Sequence, residues 1–234
     1  MKNRDFLTGI REGMPVCMGY FSVSFGFGAV AVTEGIRVWE AALISATTLA
    51  GAGQFAGVTL IAAAATLLET VLTLLVVNSR YSLMSLALGQ HLASGTGFFG
   101  RCVIAFFNTD ELFALAMRRR VPLTTSYMLG AGTVAFLGWV SGTLLGALAG
   151  TILPTSVRTA LSVMLYGMFV AILIPQAKAD KRAALTMGVA VVLSCCLKWI
   201  PALKSVSTGM GIVICTVAAA GASALLFPVK EEEA

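Results

Sequence analysis

The chain has 234 residues, 58% of them hydrophobic and 12% charged, and a formal net charge of +5. So few charges cannot cover a water-soluble globule, and the excess of Lys and Arg reads as membrane topology and not as affinity for nucleic acid. The composition predicts an all-α polytopic integral membrane protein in the lipid bilayer, one transmembrane domain over residues 1–234, with about six to eight crossings.

The first residues carry Lys2, Arg4 and Arg11 but also Asp5 and Glu12, and no small-residue cleavage site follows, so they do not read as a signal peptide. Phe6, Leu7 and Ile10 suit a short interfacial helix that leads into a first span, Met14–Thr33. Pro15 lies at the start of that span, where its missing N–H costs nothing. Ser22, Ser24, Gly26 and Gly28 make the span thin-walled.

The 37 residues Ala41–Val77 come next, and their one charge is Glu69. As a single helix they would stretch about 55 Å across a hydrocarbon slab about 30 Å thick, so the chain has to break inside them. Gly51-Ala52-Gly53-Gln54-Phe55 marks the place, two helix-weakening glycines followed by an amide at membrane depth. The expectation is a broken or re-entrant helix around Gly51–Gln54, with a short arm Val38–Ala50 and a long arm Gln54–Val77. The backbone at Gly51–Gln54 is then non-helical and faces an enclosed polar cavity. Gly-interrupted hydrophobic segments of this kind point to a transporter's binding site.

Asn78-Ser79-Arg80-Tyr81 ends the long arm, where Arg80 either snorkels or takes part in anion binding. Glu69 falls near the middle of Ala62–Val77. A carboxyl at that depth costs on the order of 3 kcal/mol on insertion scales, so it is a functional candidate unless a partner satisfies it. His91 is the single histidine and cannot build a metal site alone; a surface position at a helix end is expected. The next span, Phe98–Met117, carries Asn108-Thr109-Asp110-Glu111. Adjacent acids point about 100° apart on a helix, so both face protein only if that helix is well buried.

Pro122–Gly150 follows, with Gly138, Gly142, Gly146 and Gly150 at every fourth position. They form a groove that lets a second helix approach closely, either an internal helix or one from another subunit. Val157–Pro175, Ala183–Ile200 and Ser207–Phe227 complete the membrane-length stretches. The positive-inside rule places Lys2/Arg4/Arg11, Arg118-Arg119-Arg120 and Lys178/Lys181/Arg182 in the cytoplasm, with an external turn near Thr151–Ser156. Five cysteines without a C-x-x-C read as packing residues.

An intramembrane enzyme would need a nucleophile-and-base constellation, and G-x-S-x-G, H-E-x-x-H and P-loop motifs are all absent. A channel would want a symmetric oligomer and a polar pore ring, whereas a broken helix with isolated ionisable residues favours alternating access. No metal or cofactor is expected.

Several short motifs stand in order between residues 9 and 150. They are Gly13-x-Pro15 with Ser24-Phe25-Gly26, Ser45…Ala50-Gly51-Ala52-Gly53-Gln54-Phe55, and Asn78-Ser79-Arg80-Tyr81-Ser82-Leu83-Met84. Thr109-Asp110-Glu111-x-Phe113-Ala114 and Trp139-Val140-Ser141-Gly142-Thr143, with Gly146 and Gly150, complete the set. In these the chain resembles the AzlC-type family, the large subunits of bacterial branched-chain amino-acid exporters. It departs from the family at Ser79 and Tyr81, where a hydrophobic residue and a histidine are usual, and Val157–Pro175 lacks an acid that many relatives carry.

The resemblance implies a two-component exporter of the bacterial inner membrane, paired with a small membrane subunit of the AzlD type. Its substrates would be leucine, isoleucine, valine and methionine, and the proton motive force would drive it. Such a zwitterionic aliphatic amino acid needs donors for its carboxylate, acceptors for its ammonium and an apolar wall. Gly51, Gly53, Gln54 and Phe55, with Asn78 and Arg80, are the expected substrate residues, since a broken helix offers backbone donors at the start of its second half. Asp110, then Glu111 and Glu69, are the expected proton-coupling acids, with Arg80 as counter-ion to Asp110.

Overall fold

The computed structural model describes residues 2–152, 156, 170, 174, 177–178, 180–200 and 206–227. Among the described residues nine helices follow one another: α1 (Lys2–Thr33), α2 (Val38–Thr47), α3 (Gly51–Ala62), α4 (Leu67–Gln90), α5 (Phe98–Phe106), α6 (Asp110–Met117), α7 (Thr125–Ile152), α8 (Lys181–Trp199) and α9 (Thr208–Leu226). Five of them, α1, α4, α7, α8 and α9, are long and apolar enough to cross a membrane. Of the expected span Val157–Pro175 only residues 170 and 174 are described; residues 153–155 of the expected turn and the Lys230–Glu233 tail lie outside the described residues.

The chain divides into two compact units. One comprises the described residues of Met1–Phe55 and Asn78–Leu165, the other those of Ala56–Val77 and Tyr166–Ala234.

In the first unit α1 and α7 run against each other. A Cβ added at Gly138 would stand 2.5 Å from the Cys17 carbonyl oxygen, and one at Gly142 2.5 Å from that of Phe21. At Gly146 it would overlap the Phe25 carbonyl, and at Gly150 it would meet Ala29 Cα at 3.1 Å. The glycine face of α7 is therefore an internal contact, and α1 answers it with Gly9 against Tyr127, Gly13 against Ala131 and Gly28 against Thr143. Backbone-to-backbone approach of this kind brings many weak contacts together where lipid removes the hydrophobic drive.

This contact corrects the reading of the N-terminus. No separate interfacial helix precedes the first span: α1 is continuous for 32 residues, with Pro15 in its interior. The missing Pro15 N–H removes a helix hydrogen bond. The contacts of Gly9 and Gly13 on one side of Pro15, and of Gly28 on the other, hold both segments against α7. Tyr20, Ile104, Phe107, Leu112, Leu123, Tyr127, Met128 and Trp139 form the core around this pair.

Three further boundaries differ from expectation. The break in the short arm lies at residues 48–50, so Gly51–Gln54 is the first turn of α3 and not a non-helical stretch. Glycine costs little there, because first-turn N–H groups have no partner within the helix in any case. The glycines serve clearance: a Cβ at Gly51 would meet Trp139 Cη2 at 3.3 Å, and one at Gly53 would meet Asn78 Oδ1 at 2.8 Å.

The long arm is itself divided. Residues 63–66 turn the chain, with Ala64 at φ 50°, and Thr66 Oγ1 accepts the Glu69 N–H at 3.3 Å to start α4. Thr66-x-x-Glu69 is a capping-box spacing, which outweighed the apolar run around it. Asn78-Ser79-Arg80-Tyr81 consequently lies in the middle of α4 and not at a helix end.

The expected span Phe98–Met117 is also two short helices. Thr109 caps α6, accepting the Leu112 N–H at 3.4 Å, and Asp110 and Glu111 occupy the first turn where the helix dipole favours acids. The protein thus has a second broken segment.

In the second unit α8 buries none of its residues and α9 buries Gly209 and Ala219. Thr186 Oγ1 meets Ser223 Oγ at 2.5 Å between them.

Candidate functional site

The two breaks are linked through buried aromatic and polar side chains of the first unit. At the first, the Gln54 amide is 3% exposed and donates to the Thr48 carbonyl at 2.9 Å, with Thr48 Oγ1 at 3.1 Å and Ser45 Oγ at 3.3 Å. Its carbonyl accepts from Trp139 Nε1 at 3.0 Å, and Ser45 Oγ meets Thr143 Oγ1 at 2.7 Å. Gln54 thus ties the non-helical stretch to α7, with both ends of the amide engaged by protein. Phe55 packs edge-on against Phe27, ring centroids 5.1 Å apart.

At the second break, Tyr20 Oη is hydrogen-bonded to Glu111 Oε2 at 2.5 Å and to Thr109 Oγ1 at 2.6 Å. The Tyr20 ring stands edge-on to Trp139, centroids 5.1 Å apart and planes at 71°. A continuous path therefore runs from Gln54 through Trp139 and Tyr20 to Glu111.

One stretch of α4 touches both breaks. Asn78 lies against Gly53 at the first. Asn108 Nδ2 donates to Ser85 Oγ at 2.9 Å, and Arg80 Nη1 pairs with Asp110 Oδ2 at 2.6 Å, at the second. Positions 78, 81 and 85 share one helix face at i, i+3 and i+7 spacing. Arg80 also lies 5.0 Å from the Tyr81 ring centroid and donates to Tyr81 Oη at 3.3 Å. The side-chain amide oxygens (Oδ1) of Asn78 and Asn108 are buried and have no hydrogen-bond partner among the described residues. Two buried acceptors left open beside the breaks are an invitation to a donor.

Of the residues expected from sequence, Gly51, Gly53, Gln54, Phe55, Asn78, Arg80, Asp110 and Glu111 all lie at this linked pair of breaks. Glu69 does not. It sits in the first turn of α4, not mid-helix, and its Oε1 accepts the Gly209 N–H at 2.8 Å in the first turn of α9. Two helix N-termini, each favouring negative charge, surround that carboxylate. The Gly138–Gly150 face forms the α1 contact already described.

Sequence reasoning named Trp139 only as part of a family motif, gave it no role in the site and did not name Tyr20, although a phenol and an indole in apolar spans each bring a polar tip that needs a partner. It also read Arg118-Arg119-Arg120 only as topology. Arg119 is set apart: its guanidinium lies 3.7 Å from the Tyr127 ring centroid, Nη2 is 4.0 Å from Asp5, and its side chain is 13% exposed. Tyr127 donates to Glu12 at 2.6 Å and Thr124 to Asp5 at 3.0 Å, so one polar cluster fastens the start of α7 to α1. A cleft of about 710 Å³ in the second unit is lined, among the described residues, by Ser194, Lys198, Ser207, Cys215 and others, with no acid and none of the expected site residues among them.

Long apolar helices and two broken segments define a polytopic α-helical membrane protein, and the comparisons give its family. The sequence profile of the AzlC protein family matches residues 15–153. The chain belongs to that family. It is 33% identical over 195 residues to an uncharacterized membrane protein of Archaeoglobus fulgidus, covering 82% of this chain and 85% of that one. It is 28% identical over 194 residues to inner membrane protein YgaZ of Escherichia coli, covering 80% and 78%. A Helicobacter pylori membrane protein is 27% identical over 199 residues, covering 80% and 86%. No solved structure matches.

Proposed function

We propose that the chain is the large subunit of a two-component secondary transporter that exports leucine, isoleucine, valine and methionine at the expense of the proton gradient. It works in the cytoplasmic membrane, with its N-terminus on the cytoplasmic side and a small membrane subunit of the AzlD type as partner. The observation that carries this reading is the pair of broken helices joined to one stretch of α4. Irregular backbone at membrane depth is tolerated where it lines a site, and such breaks supply both donors and acceptors.

The substrate carboxylate is received by first-turn N–H groups of α3 at Gly51 and Gly53, while Arg80 stays paired with Asp110 at the second break. The ammonium is received by the open side-chain amide oxygen of Asn78, and the aliphatic side chain lies against Phe55 and Phe27. Gln54 fixes the break through Thr48 and Trp139. The acids of α6 carry the coupling to protons.

Purified protein reconstituted with its small subunit in vesicles, and given labelled leucine with and without an imposed pH gradient, tests the reading. Leucine flux that rises with the gradient and is competed by isoleucine and valine supports it. Flux of unrelated small solutes at the same rate would mark a channel and overturn it.

A further inference from the structure

We infer that Glu111, and not Asp110, is the acid that loads and releases the coupled proton, and that Tyr20 is the positioning residue that carries its state to the Gln54 break. The inference rests on the proton-coupled reading above and assigns its parts.

The two acids are neighbours in the first turn of α6 but have different partners. Asp110 is ion-paired to Arg80 at 2.6 Å. A proton on Asp110 dissolves that pair and leaves a guanidinium beside a neutral acid. Glu111 has no cationic partner within ion-pair distance among the described residues; it meets the hydroxyl of Tyr20. The titratable and charged groups around it are Tyr20 of α1, Arg80 and Tyr81 of α4, and Asp110 beside it on α6.

A phenol is both donor and acceptor, so Tyr20 satisfies Glu111 in either state. With Glu111 ionised, the phenolic O–H donates to its carboxylate, and the Thr109 hydroxyl can donate to Tyr20 Oη. When Glu111 takes a proton from water on its exposed side, its new O–H donates to Tyr20 Oη and the phenolic hydrogen turns to Thr109 Oγ1. The Tyr20–Thr109 hydrogen bond reverses direction, no covalent bond in the protein other than the carboxyl O–H is made, and release returns the proton to water. Asp110 beside Arg80 has no such exchange of roles, because a guanidinium only donates.

Tyr20 is 6% exposed and Trp139 4%, and the edge of one ring packs on the other. Trp139 Nε1 holds the Gln54 carbonyl. A reorientation at Tyr20 thus acts through two stiff rings on the amide that closes the first break. Coupling through packed groups requires a functional readout and not proximity alone.

The test compares wild type, Glu111→Gln, Asp110→Asn and Tyr20→Phe, each reconstituted with the small subunit, by the ratio of gradient-driven leucine flux to leucine exchange at equal pH. Glu111→Gln is expected to bring the ratio down to that measured without a gradient. Tyr20→Phe, which keeps the ring and removes the hydroxyl, is expected to lower it in the same direction. Asp110→Asn is expected to lower both fluxes and keep the ratio.

A second readout is the fluorescence of Trp139 in a background with Trp39 and Trp199 replaced by Phe. It should titrate with pH in the parent and lose that titration in Glu111→Gln and Tyr20→Phe, and it serves for any variant that cannot be reconstituted. A wild-type ratio retained by Glu111→Gln, or a ratio lost selectively in Asp110→Asn, overturns the assignment. A wild type that exchanges leucine but ignores the gradient overturns the proton-coupled reading itself.

Discussion

Arg80 Nη1 stands 2.6 Å from Asp110 Oδ2 and joins the middle of α4 to the first turn of α6. The pair closes the polar face that α4 turns toward the second break, next to Asn108 and Ser85. Both side chains are nearly half exposed, so the pair orients groups more than it stabilises the fold. The hypothesis is that sign and not mere presence matters. Arg80→Met and Asp110→Asn should each lower leucine exchange, and the swapped pair Arg80→Asp with Asp110→Arg should recover part of it. Exchange no better in the swap than in the single variants would remove the ion pair from the mechanism.

Gln54 is the fastener of the first break. Gln54→Ala leaves the buried Trp139 Nε1 without its partner, which costs about 1–3 kcal/mol, and frees the more exposed Thr48 carbonyl to water. The expected outcome is a lower melting temperature in detergent together with weaker substrate binding. Trp139→Phe, which keeps a ring beside Tyr20 but loses the N–H, should cost less, and the double variant should cost less than the sum. Strict additivity in that cycle would show that the two side chains act independently.

The glycine contact predicts a contrast within one residue type. Gly142→Ala places a methyl against the Phe21 backbone, and overpacking of that kind typically costs about 1–3 kcal/mol. Among the described residues nothing lies within 4 Å of a Cβ added at Gly188 on α8, and Gly188→Ala should raise helix stability by about 1 kcal/mol at most. Equal melting shifts in the two variants would sink the packing argument.

Within the run Arg118-Arg119-Arg120 the prediction is unequal. Arg119→Met removes the cation over Tyr127 and the partner of Asp5, whereas Arg118 and Arg120 are exposed. Yield and melting temperature should fall for Arg119→Met and stay near wild type for Arg118→Met and Arg120→Met. A fall common to all three would return the cluster to topology alone.

The membrane class, the glycine face and the presence of the first break were legible in the sequence because hydropathy and small-residue spacing act locally, whereas the second break, inside the expected span Phe98–Met117, was not. Boundaries were less so. Gly51 and Gly53 looked like helix breakers, but their role depends on Trp139 and Asn78, residues distant in sequence. Thr66-x-x-Glu69 and Thr109-Asp110-Glu111 carried readable start signals, which the surrounding apolar runs obscured. Tyr20 could not be placed at all from sequence, since its partners Glu111 and Trp139 lie on α6 and α7. The pairing of Glu69 with Gly209 was equally hidden, being a contact across 140 positions.

The contact between α1 and α7 also has a consequence for biogenesis. The N-terminal helix leaves the ribosome long before Thr125–Ile152 is synthesised. During that interval Cys17, which ends beside Gly138, has no α7 to cover it, and Asp5 and Glu12 wait for Arg119 and Tyr127. Insertion must therefore hold a glycine-bearing helix in lipid or in the translocon until its mate arrives. Stalled nascent chains ending before Thr125 should leave the Cys17 thiol open to membrane-permeant maleimide, and chains extended well past Ile152 should shield it. Equal labelling at both lengths would mean that some other segment chaperones α1 in the meantime.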